Sequence, residues 1–322
     1  MRSIGLVLGA WVLALLSVLP VRAASAERSF CVLVPHFKDE YWLSVGYGLE
    51  QAARQRGITL RFFEAGGYHA RERQIEQLRF CAASRAEAIL LGAVTSDHPT
   101  FLATVAEVSQ SVPVFGLVNE LHAPELVGAI GVDWQDMGES LARFLAERHP
   151  QESEPKTAVL ISGPAESGWA PPLELGIRTA LDNSSLRIVR VFGADTGLRQ
   201  QLAMVEEALA QVPDMDYLIG SAPAVEAAIG MLASQDRATR PQLVSTYISH
   251  TVKRGLLNGQ VLAVPFDDPM RQGEMMIDAV EGLVPLNALP SFTGPDILLL
   301  TQGNTSADQV KLSPSNYFPT IE

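Results

Sequence analysis

Aromatic side chains are scarce in this 322-residue sequence, 7% of the total, yet six of them stand just past stretches that read as β-strands. Tyr41 and Trp42 follow the first stretch, Tyr68 follows the second across Ala65-Gly66-Gly67, and Trp134 follows Val127–Val132. Trp169 follows Ile161 across a loop, and Tyr247 closes Leu243–Ile248. Ring faces carry negative quadrupole density, so such a set attracts cationic or polarised methyl groups. The same faces stack on sugar rings, which leaves two ligand classes open. Trp42 and Trp134 each begin an apolar helical stripe as well, and either one alone could simply pack on its own sheet.

The polar residues near the same strand ends decide less. Asp39, Glu64, Asp133, Asp267 and Asp268 stand there. One or two could favour a positive centre, while acids at such positions commonly complement a helix N-terminus. His36 and His69 are close by, and a lone histidine there is more often structural than a base. No G-x-G-x-x-G, G-x-x-x-x-G-K-[ST], H-E-x-x-H or G-x-S-x-G pattern occurs. The six histidines are scattered and the two cysteines lack metal-site spacing, so neither catalysis, a metal nor a cofactor is expected. Asn183-Ser184-Ser185 and Asn304-Thr305-Ser306 match a glycosylation sequon, a pattern short enough to arise by chance.

The elements that must position these residues read as a strand–helix alternation. Strands are expected at Phe30–His36, Ile58–Glu64, Ala86–Val94, Val112–Val118, Val127–Val132 and Thr157–Ile161. Others are expected at Arg187–Phe192, Tyr217–Ser221, Leu243–Ile248, Val261–Phe266 and Ile297–Thr301. Several are apolar throughout, as parallel strands covered on both faces are. Between them, stripes such as Trp42, Val45, Leu49, Ala52 and Ala53, or Trp134, Met137, Leu141, Phe144 and Leu145, fall at helical spacing. Repeated strand–helix units predict doubly wound parallel sheets, whose ligands bind beyond the carboxyl ends of the strands. The chain is also too long for one ordinary core. Interruptions at Asn119–Leu126, after Ile248 and near Gly282–Pro295 predict two lobes joined by a three-segment hinge. The expected limits are 27–119 plus 249–289 for one lobe and 120–248 plus 290–322 for the other.

Hydrophobic residues at 47%, charged residues at 19% and a formal net charge of -12 describe a globular acidic chain. With no Lys/Arg-rich block, a nucleic-acid partner and an anionic lipid surface are excluded. Arg2, the apolar run Ile4–Leu19 and the small residues through Ala26 form a signal-peptide pattern over 1–26. An exported protein without membrane insertion is expected, and an uncleaved anchor is the rival reading. In an oxidising compartment Cys31 and Cys81 are expected to pair, the alternative being two separate buried thiols.

The segment Val32–Tyr47, VLVPHFKDEYWLSVGY, and the turn Phe63-Glu64-Ala65-Gly66-Gly67-Tyr68 carry a resemblance. So do Gln74–Ile89 with Cys81, Leu90–Val94, Gly131-Val132-Asp133-Trp134, Gly163-Pro164 and Pro295–Asn304. Together they resemble the TorT-type periplasmic binding proteins of trimethylamine-N-oxide sensing, which work with a TorS-type sensor histidine kinase. The resemblance spans essentially the whole chain after the signal segment. It implies the type I periplasmic binding protein fold, a periplasmic location, a two-component signalling role and that kinase's periplasmic sensor domain as partner. It also implies a ligand box of Tyr41, Trp42, Tyr68, Trp134 and Tyr247, with Asp39 and Trp169 as further candidates. The ligand's oxygen would need a donor from a tyrosine, a backbone N–H or water. Ribose-type relatives commonly carry Asn where Trp134 stands, and a Gly-Phe-Asp turn in place of Ser245-Thr246-Tyr247. Both departures put rings where sugar-binding hydrogen bonders would be. A transporter's sugar-binding protein is the second reading and an exported enzyme the third.

Overall fold

The computed structural model describes residues 28–234, 236, 240–304 and 309–322. The expected signal segment 1–26 lies outside the described residues, as do Thr305 and Ser306 of the second sequon.

Short apolar runs fold as buried strands because helices cover both sheet faces. The first lobe is built on β1 (Ser29–Val34), β2 (Thr59–Glu64), β3 (Ala88–Leu91), β4 (Val114–Leu117) and β5 (Ala129–Ile130). These form a parallel sheet in the order β2-β1-β3-β4-β5. Its helices include α1 (Glu40–Gln55), α2 (Arg71–Ala83) and α3 (Pro99–Ser109). The second lobe holds α4 (Trp134–Arg148), β6 (Lys156–Ser162), α5 (Ala170–Leu181), β7 (Leu186–Gly193) and α6 (Leu198–Gln211). It continues with β8 (Tyr217–Gly220), α7 (Ala222–Met231), β9 (Gln242–Ser245) and α8 (His250–Leu257), and its parallel order is β7-β6-β8-β9. The remaining elements are β10 (Ala263–Phe266), α9 (Pro269–Val280) and β11 (Leu298–Thr301). Here the parallel expectation fails, since β10 and β11 form an antiparallel pair. They run in opposite directions between the lobes, so direction follows from their role as crossings.

The crossings fall later in the chain than the interruptions suggested. Gly116 and Leu117 of β4 register with Ala129 and Ile130 of β5, so the chain stays on the first sheet past 119. It leaves only over Gly131–Asp133 into α4, which packs on α5. Likewise α8 packs on α7 and Val261 bridges Leu243, so the segment after Ile248 remains with the second lobe. The return comes after β10, with α9 against α1. The tail, expected with the second lobe, ends on the first, where the Glu322 N–H donates to the Phe62 carbonyl at 2.9 Å. A polar loop does not reveal which sheet the next short strand joins.

Cys31 lies inside β1 and Cys81 near the end of α2, both fully buried and joined as a disulfide. The bond closes a separation of 50 residues. In the chain-entropy account a loop of that size stabilises by about 4 kcal/mol. Reduction should therefore lower the unfolding free energy by roughly that amount in urea melts monitored by far-ultraviolet circular dichroism. Two reactive thiols in unfolded, unreduced protein would contradict the pairing.

Candidate functional site

Each aromatic reaches the cleft from a strand end or a helix start. The N-cap of α1 is Asp39, whose Oδ1 accepts the Tyr41 N–H at 3.0 Å, and this sets Tyr41 and Trp42 in the first helical turn. Asp133 caps α4 in the same way at the Gln135 N–H, 2.7 Å, and so places Trp134. Trp169 immediately precedes α5, Tyr68 follows the Gly66-Gly67 turn, and Tyr247 follows β9. Two indoles rest on glycines for lack of room. A Cβ on Gly92 would lie 2.4 Å from Trp42 Cη2, and one on Gly163 would lie 2.2 Å from Trp169 Cζ2.

The rings close into one cluster drawn from both lobes. Tyr41 and Tyr247 are 5.4 Å apart between centroids, Trp134 and Trp169 5.5 Å, and Trp169 and Tyr247 5.8 Å. Tyr41 also meets Trp42 at 6.3 Å and Trp134 at 6.2 Å, while Tyr68 meets Trp169 at 6.5 Å. None of the six is more than 4% exposed. With Asp39, Val118, Asn119 and Thr196 they line a cavity of about 10 Å³, room for about one water. A larger groove of about 730 Å³ flanks the hinge, but it is lined by exposed Asp133, Asp136 and Asp296 and shares only Trp134 with the ring cluster.

Hydrogen bonds account for most polar atoms of the box. Tyr247 Oη donates to Asp39 Oδ2 at 2.5 Å, and Tyr41 Oη donates to Asp267 Oδ2 at 2.6 Å. Trp134 Nε1 donates to the Val118 carbonyl at 3.0 Å, and Val118 sits at a φ of 66°, which aims that carbonyl. Tyr68 Oη accepts from Asn119 Nδ2 at 3.3 Å. Trp169 Nε1 is buried without a partner. Burial, together with the neighbouring carboxylate, pushes Tyr41 and Tyr247 well above the usual phenol value, so both remain donors. Burial also raises Asp39, and it raises Asp267 to about 6.

Other contacts hold the lobes closed. His36 Nε2 lies 3.1 Å from both Asp195 Oδ1 and Thr196 Oγ1. Burial would raise Asp195, but the His36 hydrogen bond and its charge prevail and hold it below the usual range. Glu40 accepts the His250 N–H of α8 at 2.9 Å, and its carboxylate, 3.4 Å from the imidazole Nδ1, raises His250.

The structure thus brings together Tyr41, Trp42, Tyr68, Trp134 and Tyr247, with Asp39 and Trp169 among them. Asp267 stands behind Tyr41. Glu64 binds the Phe37 N–H at 3.1 Å, Asp268 caps α9 at the Arg271 N–H, and His69 pairs with Glu166 at the surface. Asn119, Thr196 and Val118 were not foreseen. Asn119 is the second residue past β4, so the strand-end rule that found the rings reaches it too. Among the described residues no His/Cys/Asp/Glu group could hold a metal ion.

Two parallel-sheet lobes closing on a buried box define a binding protein. Residues 27–285 match the family of periplasmic binding proteins and the sugar-binding domain of the LacI family, and the chain belongs to it. It is similar to the periplasmic protein TorT of Escherichia coli K12, 34% identical over 302 residues that span 93% of this chain and 86% of TorT. The complex of TorT with the TorS sensor domain in the absence of ligand matches with a TM-score of 0.78 and 37% identity, covering 92% of this chain and 100% of that one. The same complex in the presence of TMAO matches at 0.77, again with 37% identity over 92% and 100%. A Bradyrhizobium ABC-transporter solute-binding protein with bound Bis-Tris matches at 0.72 with 29% identity, over 94% of this chain and 92% of that one.

Because Trp42 fills the space above Gly92, Gly92→Ala should displace the indole and disturb the ring cluster. Overpacking of this kind costs about 1–3 kcal/mol. Near-ultraviolet circular dichroism should change while the far-ultraviolet spectrum is kept; an unaltered near-ultraviolet spectrum would mean that the ring is seated elsewhere.

Proposed function

We propose that this chain is an exported receptor whose lobes close around trimethylamine N-oxide and present the closed form to a TorS-type sensor histidine kinase. The observation that carries this reading is a buried box of six rings, supplied by both lobes, in which the Trp169 indole N–H is left without a partner. The positively polarised trimethylammonium end of the ligand suits the ring faces. Its oxygen is an acceptor. Tyr68 Oη accepts a hydrogen bond from Asn119 and has its own proton to give, and Trp169 Nε1 is unpartnered. Tyr41, Trp42, Tyr68, Trp134, Trp169 and Tyr247 are accordingly assigned to the ligand, with Asp39 behind Tyr247. The complexes of TorT with the TorS sensor domain support the choice of partner, and the signal-peptide pattern supports export.

The closed cavity admits little more than a water, so a compact ligand needs only a slight parting of the rings, whereas a sugar needs a rebuilt site. A transporter's solute receptor is the second reading. It is favoured by the similarity to the solute-binding protein with bound Bis-Tris, itself a tertiary amine.

Trimethylamine N-oxide should bind more tightly than tert-butanol, which has the same methyls and an oxygen but little positive charge. Trp134→Ala should weaken the amine oxide by roughly tenfold or more, since a desolvated cation–π contact is worth about 2 kcal/mol. Calorimetry on folded variants tests both, and equal affinity for the two ligands would reduce the box to plain apolar enclosure.

Closure couples ligand to partner, because only the closed form assembles rings from both lobes. The coupling must be reciprocal. The dissociation constant for trimethylamine N-oxide should therefore shift when a purified kinase sensor domain is added. If it stays the same while the complex persists, the solute-receptor reading takes precedence.

A further inference from the structure

The box holds two buried carboxylates, and the one base near them, His36, is shared with Asp195. Asp39 is 3% exposed and Asp267 is fully buried. Neither has a salt-bridge partner among the described residues. The groups facing Asp39 are the Tyr247 hydroxyl, the Tyr41 N–H, His36 and the like-charged Glu40. His36 is the one base among them, and its Nε2 is engaged by Asp195 and Thr196. Asp267 meets the Tyr41 hydroxyl, Gln272 Nε2 at 2.8 Å and the like-charged Asp268, and its Oδ1 has no partner. Burying an ionised carboxylate without a counter-charge is costly, and proteins pair such groups or neutralise them.

We propose that Asp39 and Asp267 are specificity-determining residues that favour a positive centre in the ligand, so that the site takes methylated ammonium compounds, cationic or zwitterionic, and disfavours molecules of the same shape that lack a positive centre. The inference rests on the reading that the box holds a ligand. Each carboxylate acts through a tyrosine of the box, Asp39 through Tyr247 and Asp267 through Tyr41. A phenol donating a short bond to an anion shifts electron density toward its ring, and this deepens the negative face that a cation meets. Asp267 is thus a positioning residue, one hydrogen bond removed from the ligand, while Asp39 also lines the cavity itself.

A pH signature follows. Burial raises Asp267 to about 6 in the empty site. A bound cation favours the ionised carboxylate, so affinity is full above that value and falls as the pH drops through it. Burial raises Asp39 as well, which works in the same direction.

Tetramethylammonium is the probe, because it has the shape of the amine oxide, a full charge and no proton to titrate. By calorimetry at constant ionic strength, it should bind wild-type protein at least as tightly as trimethylamine N-oxide at pH 7.5. It should bind about tenfold more weakly at pH 5.0, one unit below the Asp267 value. Asp267→Asn should be weaker at pH 7.5 and lose less affinity across the same range, since Asp39 alone is left to titrate, which a merely structural defect would not produce. Wild-type affinity that is equal at both pH values overturns the proposal without recourse to any variant. If trimethylamine N-oxide binds while tetramethylammonium binds no better than tert-butanol, the proposal falls and the receptor reading stands. If neither methylated compound binds, both fall.

Discussion

One buried hydrogen bond, from the Tyr247 hydroxyl to Asp39 at 2.5 Å, links the local, tertiary and functional levels of this molecule. Asp39 uses one oxygen to cap α1 and the other to receive Tyr247 from the opposite lobe. The cap fixes the first turn of α1 and with it Tyr41 and Trp42. The cross-lobe bond then brings Tyr247 within 5.4 Å of Tyr41. A helix cap of ordinary type is thereby also a latch for the cleft and an edge of the box.

The arrangement has an electrostatic consequence. Two carboxylates in an apolar ring cluster oppose burial, and the hydroxyls that bind them offset only part of that opposition. The balance of the empty closed form is therefore poorer than its packing suggests, while a ligand with a positive centre improves both at once. Latches such as His36 to Asp195 and Glu40 to His250 help hold the lobes together. Favourable and unfavourable terms at the same interface are what a receptor needs if its closed population is to answer to ligand.

Much of this was legible in the residues. The expected strands all appear near their places, because apolar runs bounded by turns are a strong signal when both faces are covered. The rule that sites lie past strand ends gathered the rings, including Trp169. It stopped short of Asn119 because the segment from 119 to 126 looked like a lobe crossing. In the fold the chain makes one further pass, with β5 of two residues against β4, before it leaves. The run Val127–Val132 read as a strand, but nothing in it showed which sheet it joins. The antiparallel pairing of β10 with β11 escaped for a related reason, since direction belongs to the path between lobes and not to composition.

By itself the sequence determined the strand–helix alternation, the two-lobed class, the acidic character and the identity of the residues at the strand ends. These follow from hydrophobic periodicity and local caps, which act over a few neighbouring residues. Only the tertiary structure decided which rings touch, which donors are spent and which remain, and that no salt bridge reaches Asp39 or Asp267 among the described residues. Such facts depend on side chains far apart in the chain, as Tyr41 and Asp267 are, meeting where water is excluded. There a hydrogen bond or an unpaired charge takes its energetic weight from the surrounding packing, which no local pattern encodes.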